Sequence, residues 1–127
     1  MEKIITIDGK KVGFRASALT VVRYNAMCKG RNLLQDFSNM MREIKNTEKE
    51  GVEVPSNVMP VAYNMGYVMH KQYLERHNIH EDLPKTAFEW VDSFEVFDLQ
   101  VFLDATIKLW VNSNAASATS KNTKGRR

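Results

Sequence analysis

Val58-Met59-Pro60-Val61-Ala62-Tyr63-Asn64-Met65-Gly66-Tyr67-Val68-Met69-His70-Lys71-Gln72-Tyr73-Leu74-Glu75-Arg76 is the stretch on which the fold turns. Val58, Val61, Ala62, Met65, Val68 and Met69 recur at the spacing of one helix face, so the segment predicts a helix from about Val58 to Arg76. Pro60 is tolerated in its first turn, where a missing N–H costs nothing. Tyr63, Tyr67 and Leu74 form a second apolar stripe on another side, interrupted by His70. A helix of a small domain rarely needs two apolar faces. The second is either core in a compact fold, the preferred reading, or a contact surface. Gly66 in the middle costs about 1 kcal/mol relative to alanine, which points to close packing at that position.

Working towards the N-terminus, Asn46–Asn57 is charged, carries Gly51 and Pro55, and loses the apolar pattern. It reads as a mobile loop. Before it, Leu33, Leu34, Phe37, Met40, Met41 and Ile44 predict a second helix with one buried face, capped by Asn32. A first helix starts at Ser17 or Thr20 and stops near Lys29, where Gly30 ends it. Residues 3–15 read as a β-hairpin. Ile5 and Ile7 alternate with Thr6, and Val12 and Phe14 alternate with Lys11, Gly13 and Arg15. Asp8-Gly9 between them is a strong two-residue hairpin turn.

Towards the C-terminus, Thr86-Ala87-Phe88-Glu89 has the form of a capping box ahead of a short helix bearing Phe88, Trp90, Val91 and Phe94. A last helix, capped by Asp98, runs to about Asn112 with Leu99, Phe102, Leu103, Ile107, Trp110 and Val111. Residues 114–127 hold no aromatic or large aliphatic side chain and predict a disordered basic tail. The expected fold is mainly α: a small single-domain bundle of about five helices over residues 1–113, with an N-terminal β-hairpin. A length of 127 residues suits one domain.

Charge is unevenly spread. Lys121, Lys124, Arg126 and Arg127 in the tail account for the whole excess of 18 Lys and Arg over 15 Asp and Glu. Residues 1–45 hold nine basic against four acidic side chains, whereas 81–113 hold seven acidic against Lys85 and Lys108. Such polarity steers partners or favours association between copies. Four tail cations bind nucleic-acid phosphates non-specifically at most. The helix from Leu33 offers apolar side chains to a core and few groups suited to base edges, so nucleic acid is not the expected partner. No apolar run reaches the ~18 residues of a membrane span, and the N-terminus lacks a signal-peptide pattern.

Chemistry is sparse. Gly9-Lys10-Lys11 and Lys124-Gly125-Arg126 lack the paired glycines and hydroxyl of a phosphate loop. The single cysteine, Cys28, excludes an internal disulfide and reads as a thiol near a helix end. His77-Asn78-Ile79-His80-Glu81-Asp82 gathers imidazoles and carboxylates, but zinc needs three or four converging ligands and no second cluster supplies them. His70 and His77 share a helix face nearly two turns apart, roughly 10 Å, too far to share an ion. Asp92, Glu95, Asp98 and Asp104 show no paired environment of the kind that splits carboxylate pKa values. The expectation is no catalytic residue, no metal, no cofactor and no enzyme.

Three stretches nevertheless resemble a known family. They are Ile5-Thr6-Ile7-Asp8-Gly9-Lys10 running on through Phe14-Arg15-Ala16-Ser17-Ala18, then Tyr24 with Gly30-Arg31-Asn32-Leu33-Leu34-Gln35-Asp36, and then Glu89-Trp90-Val91-Asp92-Ser93-Phe94-Glu95 followed by Leu109-Trp110. In order and spacing they are similar to the tail assembly chaperones of long-tailed phages and prophages of Gram-positive bacteria. Lys29 stands where the family usually has an aromatic residue, and Asn32 where it tends to have Asp.

The resemblance implies a helical, non-enzymatic protein that binds the tape measure protein, keeps its long helices soluble, and recruits tail tube subunits during tail morphogenesis. It implies action in the cytoplasm of the bacterial host and absence from the finished virion. It also implies, in many members, a longer form made by ribosomal frameshifting near the end of the short reading frame. On the residues themselves, Tyr63, Met65, Tyr67, Met69, Leu74, Phe102 and Trp110 are the candidate partner-binding set, since methionines and aromatics suit adaptable surfaces. Self-association as a homo-oligomer through the same surface would compete with it. The alternatives are a small phage or prophage regulator that binds nucleic acid through the tail, and a structural tail or head-completion protein.

Overall fold

A computed structural model describes the backbone of residues 1–50 and 58–125 and the side chains of residues 1–47 and 58–113. Among the described residues the protein is mainly α, with an N-terminal hairpin and five helices. Strands β1 (Glu2–Ile7) and β2 (Lys10–Arg15) pair antiparallel, Ile7 against Lys10 and Ile5 against Val12. Asp8 and Gly9 both take positive φ, 55° and 73°. That is the mirror-image turn whose twist matches a hairpin, and glycine adopts it without steric cost. Ile7, Val12 and Phe14 are buried on the inner side of the hairpin.

Helix α1 (Ala18–Met27) starts on a capping box that the sequence pattern does not advertise, because threonine stands where Glu or Gln is usual. Ser17 Oγ accepts from the Leu19 N–H and Thr20 Oγ1 accepts from the Ser17 N–H. Helix α2 (Leu33–Glu50) starts on Asn32, whose Oδ1 accepts from the Leu34 and Gln35 N–H groups. Leu33 and Met40 are buried, but Leu34 is exposed. The expectation of a buried Leu34 fails because it stands one residue, about 100° of helix, beyond Leu33. The helix also runs into the segment predicted as loop, as far as Glu50, and residues 51–57 of that loop lie outside the described residues.

Helix α3 (Met59–Arg76) is the central element, packed against β2, α1, α2, α4 and α5. So many neighbours explain its two apolar stripes, since both are covered. Asn78 takes φ 54° after its end. The Ile79 N–H donates to the Leu74 carbonyl and the Asn78 N–H to the Glu75 carbonyl, closing the helix in the left-handed manner that glycine or asparagine provides. A strap, residues 77–86, leads to α4 (Ala87–Asp92). There Thr86 Oγ1 accepts from the Glu89 N–H. The return bond that a full capping box would add from the Glu89 side chain is not formed.

Helix α5 (Leu99–Gly125) starts with Asp98 Oδ1 accepting from the Val101 N–H. Its backbone continues past Asn112 to Gly125, so the disordered tail predicted from residue 114 is helix over most of its length. The segment contains no proline and no glycine before Gly125, and Ala115, Ala116 and Ala118 favour helix. The side chains of the tail cations Lys121, Lys124, Arg126 and Arg127 lie outside the described residues. The core is aromatic: Phe14, Trp90 and Phe102 are mutually edge-on at 5.9–6.3 Å between ring centroids, and His70 stacks on Trp90 at 5.3 Å.

Candidate functional site

The side chains singled out for partner binding mostly build this core. Met65, Met69 and Phe102 are fully buried, Tyr67, Trp110 and Leu74 are buried, and Tyr63 is half-buried against Phe88, Phe97 and Phe102. They do not form an exposed surface. The methionines and aromatics of α3 and α5 resemble an adaptable surface in sequence because composition does not reveal how many elements surround a helix.

The apolar groups left outside lie elsewhere. On α1, Leu19, Val22 and Met27 are 52%, 61% and 38% exposed, and Ala26 is exposed beside them. Leu19, Val22 and Ala26 fall on one face at i, i+3, i+7. This outer face of α1 leads into two adjoining hollows of about 370 and 470 Å³ along the outer side of α3. The hollows share Tyr67, Lys71 and Lys85. Met27 stands at one end of the trough and the exposed Ile79 at the other. Val68, Tyr67 and Leu74 supply its apolar floor, so two of the predicted partner residues reach the surface here from beneath.

The rim carries charges of both signs. Lys71 and Lys85 line both hollows, Arg23 of the smaller pairs with Glu75 of the larger, and Glu81 and Asp82 add acid to the larger. The Lys71 ammonium lies 5.5 Å from the centre of the Tyr67 ring, a cation–π distance. The Tyr67 hydroxyl donates to the Pro84 carbonyl, fixing the strap as the far wall. His70 Nδ1 donates to the Gly13 carbonyl at 2.7 Å, and its Nε2 meets Glu81 Oε2 at 2.7 Å. The polar cluster at residues 77–82 therefore also contacts the interior. Glu81 reaches back to a buried ring eleven residues away, a contact without a signal in the sequence.

The outer ion pairs titrate in acid. Arg23 Nη2 lies 2.5 Å from Glu75 Oε1. That hydrogen bond holds the Glu75 carboxyl below its ordinary value of 4.5. Glu2 is held below the same value chiefly by the hydrogen bond from His77 and further by Arg15. A lowered carboxyl contributes stability above its unfolded pKa and loses it as pH falls through the folded value. Stability should therefore fall below about pH 4.5, and Glu2→Gln with Glu75→Gln should flatten that limb. Urea midpoints taken between about pH 6 and about pH 3 measure it, and an unchanged slope in the double variant would refute the assignment.

The motif around Tyr24 is a structural knot. The Tyr24 hydroxyl donates to Asp36 Oδ2 at 2.8 Å, and Arg31 grips the same carboxylate through Nε at 3.1 Å and Nη2 at 2.9 Å. Asn25 Oδ1 accepts from the Leu33 N–H across the turn. Beside it Cys28 is half-buried, and burial pushes its thiol up, which keeps it protonated at neutral pH. Among the described residues no group of three His, Cys, Asp or Glu is placed to hold a metal ion. Among them, too, no helix is long and apolar enough to cross a membrane. Comparison of the chain with family models, with curated proteins and with solved structures finds no match.

Proposed function

We propose that the protein is a phage tail assembly chaperone that binds the tape measure protein, and with it tail tube subunits, in the cytoplasm of the bacterial host. It acts without catalysis and leaves before the virion is complete. The observation that carries the reading, beside the resemblance over residues 4–110, is the trough along α3 continuous with the exposed apolar face of α1. An amphipathic helix lays its apolar side into such a groove, anchored at i, i+3, i+4 and i+7. The rim, with Arg23, Lys71 and Lys85 beside Glu75, Glu81 and Asp82, would meet charges of either sign on the polar side of that helix. The binding set accordingly moves from the buried stripes to Leu19, Val22 and Met27, with Tyr67 and Leu74 beneath.

Co-expression with the tape measure protein encoded beside this gene tests the proposal by solubility and pull-down. Co-purification of soluble tape measure protein is expected. The pair Val22→Glu and Met27→Glu should abolish it while leaving the thermal midpoint nearly unchanged, because exposed substitutions usually stay within about 0.5 kcal/mol. A tape measure protein that stays insoluble and unbound, with the tube protein also unbound, overturns the reading. Salt-dependent DNA binding lost on deleting residues 114–127 would favour the regulator instead. Recovery of the chain in purified virions would favour a structural tail protein.

A further inference from the structure

The two edges of the hairpin are treated differently. Met1 and Ala16 exchange backbone hydrogen bonds, Ala16 N–H to Met1 carbonyl at 2.8 Å and Met1 amine to Ala16 carbonyl at 3.1 Å. Antiparallel pairs alternate, so Lys3, Ile5 and Ile7 bond to β2, while Glu2, Ile4 and Thr6 turn their N–H and C=O groups outward. On the opposite edge, β2 turns out Lys11, Gly13 and Arg15. Helix α3 caps two of their carbonyls: His70 donates to that of Gly13 and Gln72 Nε2 to that of Arg15, at 2.7 and 3.4 Å. Among the described residues no such side-chain hydrogen bond caps β1, although α5 packs beside it. Among the described residues no protein group bonds the outward N–H or C=O of Glu2, Ile4 or Thr6, and the Ile4 side chain is 51% exposed.

A groove of about 500 Å³ runs between β1 and α5. Its α5 wall is a single stripe, Val101, Asp104, Ala105, Lys108 and Leu109, at the i, i+3, i+4, i+7, i+8 spacing. Within it Asp104 and Lys108 pair at 3.2 Å with most of each side chain exposed. A free strand edge recruits another strand unless it is blocked, and here no proline or bulge blocks it.

We propose that β1 pairs with β1 of a second copy, antiparallel about a two-fold axis at Ile4, giving a four-stranded sheet across a dimer. The strand is self-complementary in that register. Ile4 faces Ile4, Glu2 faces Thr6 and Lys3 faces Ile5, so no like charges oppose each other and the exposed isoleucine becomes covered. The same axis reverses the α5 stripe, which brings Asp104 of each copy towards Lys108 of the other. A two-fold interface needs such a self-matching patch. The inference is independent of the tail-assembly reading, because the α3 trough lies on other elements.

Light scattering after size exclusion of the full chain, over a range of concentrations, is the test. A dimer is expected. Ile4→Pro removes an outward N–H without touching the β1–β2 ladder, and Ile4→Lys places a charge on the axis. Both should give a folded monomer, with circular dichroism and thermal midpoint retained. Amide exchange at Glu2, Ile4 and Thr6 should slow with concentration in the parent chain alone. A parent chain that is monomeric at all concentrations overturns the proposal. So does a dimer that survives Ile4→Lys, or one lost only with Val22→Glu on α1.

Discussion

Phe102→Ala is expected to destabilise the protein by about 3–5 kcal/mol, a large part of the ~5–15 kcal/mol that holds a domain of this kind. Phe102 is fully buried and its ring lies within 6.3 Å of those of Phe14, Tyr63, Trp90 and Phe97. The tip of its ring packs against the backbone of α3 at Gly66, where an added Cβ would stand 2.3 Å from Phe102 Cζ and 2.6 Å from Cε1. Helix propensity alone says that Gly66→Ala gains about 1 kcal/mol. The packing says it loses at least that much, since a fully buried ring has no room to withdraw. The two substitutions therefore couple. In the Phe102→Ala background the same Gly66→Ala change becomes favourable, because the methyl enters the space the ring has left. Urea unfolding of the four proteins in this cycle measures the coupling. A Gly66→Ala protein more stable than its parent would show that α3 and α5 are not in contact as described.

Asp36→Ala should cost about 2–4 kcal/mol, because it strands a buried donor. Asp36 and Tyr24 are both buried, and Tyr24 has its pKa pushed far up, first by burial and then by its bond to Asp36. Removing the carboxylate leaves the phenol hydroxyl in the interior without an acceptor and Arg31 without its bidentate partner. Tyr24→Phe alone should cost less, about 1 kcal/mol, since it deletes one bond to a charged acceptor that keeps Arg31. In the Asp36→Ala background Tyr24→Phe should become neutral or stabilising, as the stranded hydroxyl is gone. Additive costs in the thermal or urea midpoints would mean that the hydroxyl and the carboxylate do not act as a unit.

These two sites differ in how far they could be read in advance. The glycine in the middle of the α3 pattern already signalled close approach, but not which ring approached. Tyr24, Arg31 and Asp36 stood out through a family resemblance, and only the fold shows that they close the α1–α2 turn. The core reading of the second α3 stripe agrees with the burial of Tyr67 and Leu74. The same residues, offered as a partner surface with Met65, Met69, Phe102 and Trp110, are interior. The trough that replaces them draws Met27 from α1, Lys71 from α3 and Lys85 from the strap, residues unremarkable in their own segments.

What the sequence by itself determined is local: the Asp8-Gly9 turn, the helix starts at Asn32, Thr86 and Asp98, and the apolar period of α3. Each of these depends on a few neighbouring residues whose backbone preferences and hydrogen-bonding groups act within one turn of chain. What only the tertiary structure decided is which faces meet water. It covered both sides of α3 and capped two carbonyls of the β2 edge with His70 and Gln72. It left Val22, the trough and the β1 edge open. Burial depends on how many elements surround a face, and that number is a property of the assembled fold, not of any one segment.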